Sequence, residues 1–188
     1  MVSDVFVITG FGLIDPILAI FIKGNITGGT IFSAGLASTL FLITKSLVQL
    51  PFSSYVDRSD GKRRWLIVGT LMIAVVPFLY LSAKDVGTIY LAQVFHGVGS
   101  GLAFPTWLGL WSTHLDRRHE SYEWSLYSTM TGIGTALSAA VGAAVAQFLG
   151  FAYSFIMVGA LSLVGSAILF YLPAKDGRVR PEEMRRKI

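Results

Sequence analysis

Two ionisable side chains, Asp15 and Lys45, stand in the middle of otherwise apolar, helix-length stretches of this chain. Hydrocarbon tolerates such charges only when they are paired or wetted, so they mark ion and solute pathways by default. A carboxylate in that setting can take up and release a proton, and an ammonium opposite it can neutralise it or hold a ligand anion. Asp15 lies about eleven residues from the end of its stretch and Lys45 about ten from the corresponding end of the next, which at about 1.5 Å per residue puts both at the same depth. The two are therefore placed to meet. Their chemistry is either ion coupling and substrate contact, or a fixed pair that fastens one helix to the next. Pro16, beside the acid, frees a backbone carbonyl one turn earlier and allows a kink that can line a wet cavity.

The polar residues nearby fall into stripes. Lys45, Gln49 and Ser53 recur at i, i+4 and i+8, and Gln93, His96, Ser100 and Trp107 at i, i+3, i+7 and i+14, so each set occupies one helical face that should look toward protein or water rather than lipid. His96 adds a group that titrates near neutral pH, or a neutral hydrogen-bonding link between helices. Thr131 and Thr135, one turn apart, are weaker cavity candidates. Gly134, Ser138, Gly142 and Ala146 follow strict fourfold spacing, a small-residue run that lets a second helix backbone approach closely, and packing is its expected role.

The elements that must carry these residues are read from composition. With 53% hydrophobic and 14% charged residues and a mean hydropathy of +0.64, the chain departs from the balance of a soluble domain. Six apolar stretches reach the ~20 residues needed to cross about 30 Å of hydrocarbon: 5–22, 31–56, 65–83, 88–113, 124–149 and 151–172. The expected fold class is thus an all-α integral membrane bundle. Segment 1–172 would form it, and residues 173–188 a basic tail. The first stretch lacks a basic leader and a small-residue cleavage site, so it is expected to stay in the mature protein.

Orientation follows from the basic residues. Twelve of the fifteen Lys and Arg fall in segments 57–64 and 114–122 and in the tail, which places those segments and both termini on the cytoplasmic side of a cell or inner membrane. Trp65, Trp111 and Trp124 sit at the same predicted boundary, where amphipathic rings prefer to lie. The pI near 9.5 reflects this loop bias and, with no soluble face to display it, does not imply a nucleic-acid partner. Zero cysteines exclude a disulfide framework, a thiolate metal site and a thiol nucleophile. No phosphate loop, metal-spaced cluster or Ser-His-Asp arrangement is evident, so neither an enzyme nor a cofactor is expected.

An internal repeat organises the six stretches. Gly10-Phe-Gly-Leu-Ile-Asp-Pro16 in the first reads against Gly99-Ser-Gly-Leu-Ala-Phe-Pro105 in the fourth at a spacing of 89 residues, and Val68-Gly-Thr-Leu71 in the third against Val158-Gly-Ala-Leu161 in the sixth at 90. Two three-helix units are expected, about 4–83 and 88–172. An odd number of crossings inverts one against the other, which is a transporter signature; shared lipid-phase composition is the plainer explanation.

The segment after the second stretch, Ser53-Ser-Tyr-Val-Asp57-Arg58-Ser-Asp60-Gly61-Lys62-Arg63-Arg64, resembles the loop motif G-x-x-x-D-R-x-G-R-[RK] of the major facilitator superfamily, with Ser53 in place of the leading glycine and Asp60 as one extra residue. Six spans, cytoplasmic termini, an Asp-Pro in the first span and a Gly-rich fifth agree with the amino-terminal bundle of that family. The proline of the family's antiporter-associated fifth-span motif is absent, so antiport is not inferred. The resemblance implies an inner gate made by Asp57, Arg58, Asp60, Gly61, Lys62, Arg63, Asp116, Arg117 and Glu123, and a solute path between two bundles. Substrate or ion coupling is then expected at Asp15, Lys45, Gln49, Gln93, His96 and Trp107. The expected function is secondary transport of a small solute, proton-coupled through Asp15 or not, by one bundle pairing with a second copy or a second half. The alternative is a membrane scaffold that kept the bundle and lost the path.

Overall fold

A computed structural model describes residues 12–59, 61–112 and 119–171, and within these it is helical throughout. The helices are α1 (Asp15–Asn25), α2 (Ile31–Arg58), α3 (Lys62–Ser82), α4 (Val86–Ser112), α5 (Glu120–Phe148) and α6 (Phe151–Tyr171). Four of them, α2, α3, α5 and α6, are long and apolar enough to cross a membrane. At 27 residues α4 is also long enough; it carries the glycines and the Gln93 and His96 stripe, residue types that lower its hydropathy.

Local signals explain the boundaries. α1 starts at Asp15 with Pro16 in its first turn, where a missing N–H leaves nothing unsatisfied and an acidic side chain complements the helix dipole. Pro16 therefore acts at a helix start, while the expected span 5–22 falls in part outside the described residues. α2 opens with a capping box, in which Ser33 N–H donates to Thr30 Oγ1 at 3.0 Å and Thr30 N–H to Ser33 Oγ at 2.7 Å. α5 ends at Gly150, whose φ of +99° suits glycine alone; its N–H and that of Leu149 both donate to the Val145 carbonyl, closing the helix and turning the chain into α6. Gly150→Ala should accordingly lower the unfolding free energy by about 1 kcal/mol, read as a lower melting temperature in detergent, and an unchanged melt would mean that the turn tolerates a Cβ.

Asp85 caps α4 in the same manner. Its carboxylate accepts from Thr88 N–H at 3.0 Å and Thr88 Oγ1–H at 2.9 Å, and these bonds hold the Asp85 carboxyl below its usual range. The stabilisation they give is complete above the ordinary carboxylate pKa of about 4 and is lost as pH falls through the lower folded value. Asp85→Ala should remove that portion of the acid sensitivity, so that parent and variant converge in melting temperature at the acid end of a pH series. Thr27 N–H, donating to the Lys84 carbonyl at 3.0 Å, ties the α1–α2 and α3–α4 turns together at this end of the bundle.

α4 is the central helix and packs against both α2 and α3, while α3 also packs along α6. Glycines of α4 let neighbouring backbones come close. A Cβ on Gly97 would lie 2.7 Å from Thr44 Cβ and 2.8 Å from the Phe41 carbonyl, and one on Gly101 2.7 Å from Val48 Cβ. Both positions make a close seam of α4 against α2, matched by Gly69 of α3, where a Cβ would lie 2.7 Å from the Ala103 nitrogen of α4. Of the fifth-span run, Ser138 and Gly142 are buried, with Gly142 against the Leu13 backbone, while Gly134 and Ala146 are half-buried. An aromatic knot joins α1, α3 and α6: Phe21 meets Phe155 edge-on at 4.8 Å and Tyr80 meets Phe155 at 5.6 Å, both partners of the second pair being almost wholly buried. α2 and α5 are the least covered, with 17% and 11% of their apolar windows buried against 44% for α3 and α6, so their outer faces are left to lipid or to another bundle.

Candidate functional site

The packing leaves a cavity of about 480 Å³ inside the bundle, within the range of small-molecule sites. α1 contributes Asp15 and Ala19, α2 Ser38, Phe41 and Lys45, α3 Thr70 and Tyr80, α4 Gln93, His96, Ser100, Phe104 and Trp107, and α5 Thr135. Exposed residues, Asp15, Ala19, Ser38 and Phe104, form one side, and buried ones, Thr70, Gln93, Ser100 and Trp107, form the floor. The cavity is therefore open on one side and closed behind.

Five of the six coupling candidates line this one space: Asp15, Lys45, Gln93, His96 and Trp107. Gln49, half-buried one turn beyond Lys45, is not in its lining. Asp15 and Lys45 share the cavity but do not form the ion pair their depth suggested; among the described residues neither has an ionic partner. Lys45 Nζ lies 4.6 Å from the centre of the Phe104 ring instead, a cation–π contact. Depth along a helix was readable from the sequence, but rotation about its axis was set by the Gly97 and Gly101 seam, which fixes where Lys45 points. His96 stacks on Phe41 at 4.4 Å and Trp107 on Tyr127 at 4.8 Å. Gln93 is 3% exposed and its Oε1 is buried without a hydrogen-bond donor.

Sequence reasoning missed Ser38, Phe41, Thr70, Tyr80 and Phe104 as cavity residues. Ser38 and Phe41 lie two turns and one turn before Lys45, a signal that was available in the spacing. Phe104 falls between Ser100 and Trp107 on the α4 stripe, again at helical spacing, whereas Thr70 and Tyr80 belong to a helix whose facing is a tertiary property.

The loop-motif residues gather at the other end. Asp57 Oδ1 and Lys62 Nζ converge on Gly109 of α4, where a Cβ would lie 4.0 Å and 3.8 Å from them. Gly61 caps α3 and donates its N–H to Ser59 Oγ. Arg63 crosses to α6 and donates from Nε and Nη2 to the Leu169 carbonyl at 3.2 and 2.8 Å, meeting the negative end of that helix. Arg58 is exposed and Glu123 half-buried. Asp60, Asp116 and Arg117 lie outside the described residues, as does the side chain of Trp111. No group of three or more His, Cys, Asp or Glu residues able to hold a metal is present among the described residues.

A multi-pass helical membrane protein with a largely apolar, one-sidedly open cavity that holds a carboxylate and an ammonium in its wall is the class these features define. The sequence profile of the Major Facilitator Superfamily matches residues 1–187, and the chain belongs to that family of transporters. An 88-residue stretch is 31% identical to the uncharacterized MFS-type transporter EfpA of Mycobacterium tuberculosis, with the same figures for strains CDC 1551 and H37Rv. That match takes in 46% of this chain and only 17% of the relative's length.

Proposed function

We propose that the chain is one bundle of a secondary transporter, that its two three-helix units are inverted repeats with cytoplasmic termini, and that it works against a second bundle, a second copy or a partner, by alternating access. The observation that carries this reading is the open cavity with one carboxylate and one ammonium in its wall, since such charges are stable at that depth only in contact with water, a ligand or each other. The repeat is supported by packing: α1 and α4, which match in sequence, both line the cavity, and α3 and α6, which also match, pack on one another. The uncovered α2 and α5 faces support a second bundle closing the open side. Rocking of one bundle against the other around a shared midplane site would carry the solute. The motif charges Asp57 and Lys62, drawn toward α4 at Gly109, are suited to latch the cytoplasmic side in one of the two states.

The test is native mass measurement in lipid nanodiscs, where multiples of 20.4 kDa are readily separated. A dimer, or a stable complex with a second bundle, is expected. A strict monomer whose cavity positions resist aqueous thiol reagents after single substitution to cysteine would instead favour the scaffold alternative.

A further inference from the structure

We infer that the cavity takes a zwitterion with an apolar, ring-bearing body, a reading that rests on the cavity being the substrate site. Three observations carry it. First, the wall holds one carboxylate and one ammonium on different helices, Asp15 and Lys45, and neither has an ionic partner among the described residues. A monocation would satisfy Asp15 and sit beside a like charge at Lys45, and a monoanion would do the reverse; a ligand carrying both signs compensates both walls. His96 and Tyr80, the other titratable groups in the lining, are mostly neutral at pH 7 in their ordinary forms.

Second, Gln93 presents a buried acceptor with no donor. Leaving such an oxygen unsatisfied is costly, so a rotation of the amide that turns it toward a ligand N–H in the cavity is favoured. Third, Phe41, Phe104 and Trp107 supply ring surface around a volume of about 480 Å³, which exceeds the needs of a bare ion and accommodates an aromatic body. The ligand's ammonium then faces Asp15 and Gln93, its carboxylate faces Lys45, and its body lies among the rings.

The experiment is equilibrium binding to the full chain in nanodiscs with two families of probes, tryptophan and the dipeptide phenylalanyl-alanine, in which the charges lie further apart. Each is compared with its amide, which keeps only the positive charge, and its N-acetyl form, which keeps only the negative one. At least one parent should bind, and blocking either of its charges should weaken binding by about tenfold or more. Asp15→Asn should weaken the parent and its amide while sparing the N-acetyl form, and Lys45→Met should do the converse. Equal or tighter binding of an amide or N-acetyl form overturns the inference, as does failure of all six probes to bind. A Ser38→Cys variant, in a chain with no cysteine of its own, separates this failure from that of the site itself. Labelling by a membrane-impermeant thiol reagent would show a wet cavity whose ligand is of another class, whereas no labelling would remove the site and the inference together.

Discussion

Gly97→Leu is expected to unfold or grossly loosen the bundle, costing about 3 kcal/mol or more. The hydrogen it replaces faces Thr44 Cβ at 2.7 Å, the Phe41 carbonyl at 2.8 Å and the Lys45 nitrogen at 3.1 Å, all distances that a Cβ would have to occupy. Two of these are backbone atoms, which cannot rotate away as a side chain can, so α2 and α4 must separate. Separation opens a contact that small residues exist to close, and without a hydrophobic force between helices in lipid the lost van der Waals contact is not recovered elsewhere. It also displaces Lys45 and His96, which flank the crossing. Thermal unfolding in detergent followed by tryptophan fluorescence should show the loss. Gly132→Leu is the control, because nothing lies within 4 Å of a Cβ there; a Gly97→Leu melt matching that of Gly132→Leu would refute the close crossing.

Asp15→Asn and Lys45→Met should each reduce transport by about ten- to a hundredfold while leaving the melting temperature near that of the parent. A charge-assisted hydrogen bond to substrate is worth about 1.5–3 kcal/mol, and each 1.4 kcal/mol is about a factor of ten. The two side chains are not bonded to one another, and Lys45 rests on Phe104, so removing one does not strand the other in a broken ion pair. That separates the cavity reading from a structural pair: a fastening pair would lose stability on either substitution and recover it in the double variant. Flux in proteoliposomes is the measurement. Parental flux from both folded variants would exclude Asp15 and Lys45 as substrate or coupling groups.

The two predictions depend on different layers of information. Apolar stretches, their lengths and the polar stripes were legible in the sequence, because hydropathy and helical periodicity are local. Those patterns identified Asp15, Lys45, Gln93, His96 and Trp107, which lie around one cavity, and the loop motif identified the family. What they could not say is which neighbour each face meets. An apolar face reads the same whether lipid or another helix covers it, and so the fourfold run on α5 was visible without showing that only Ser138 and Gly142 of it are buried, Gly142 against the Leu13 backbone. Asp15 and Lys45 share a depth by residue count, yet rotation of α2 about its axis turns the ammonium onto Phe104. The contact from Arg63 to the Leu169 carbonyl joins residues 106 positions apart, a separation no local pattern spans. Sequence alone thus determined the membrane environment, the helices and the polar faces, through properties each segment has by itself; only tertiary packing decided the cavity, because a space between helices is a property of how five of them are turned toward one another.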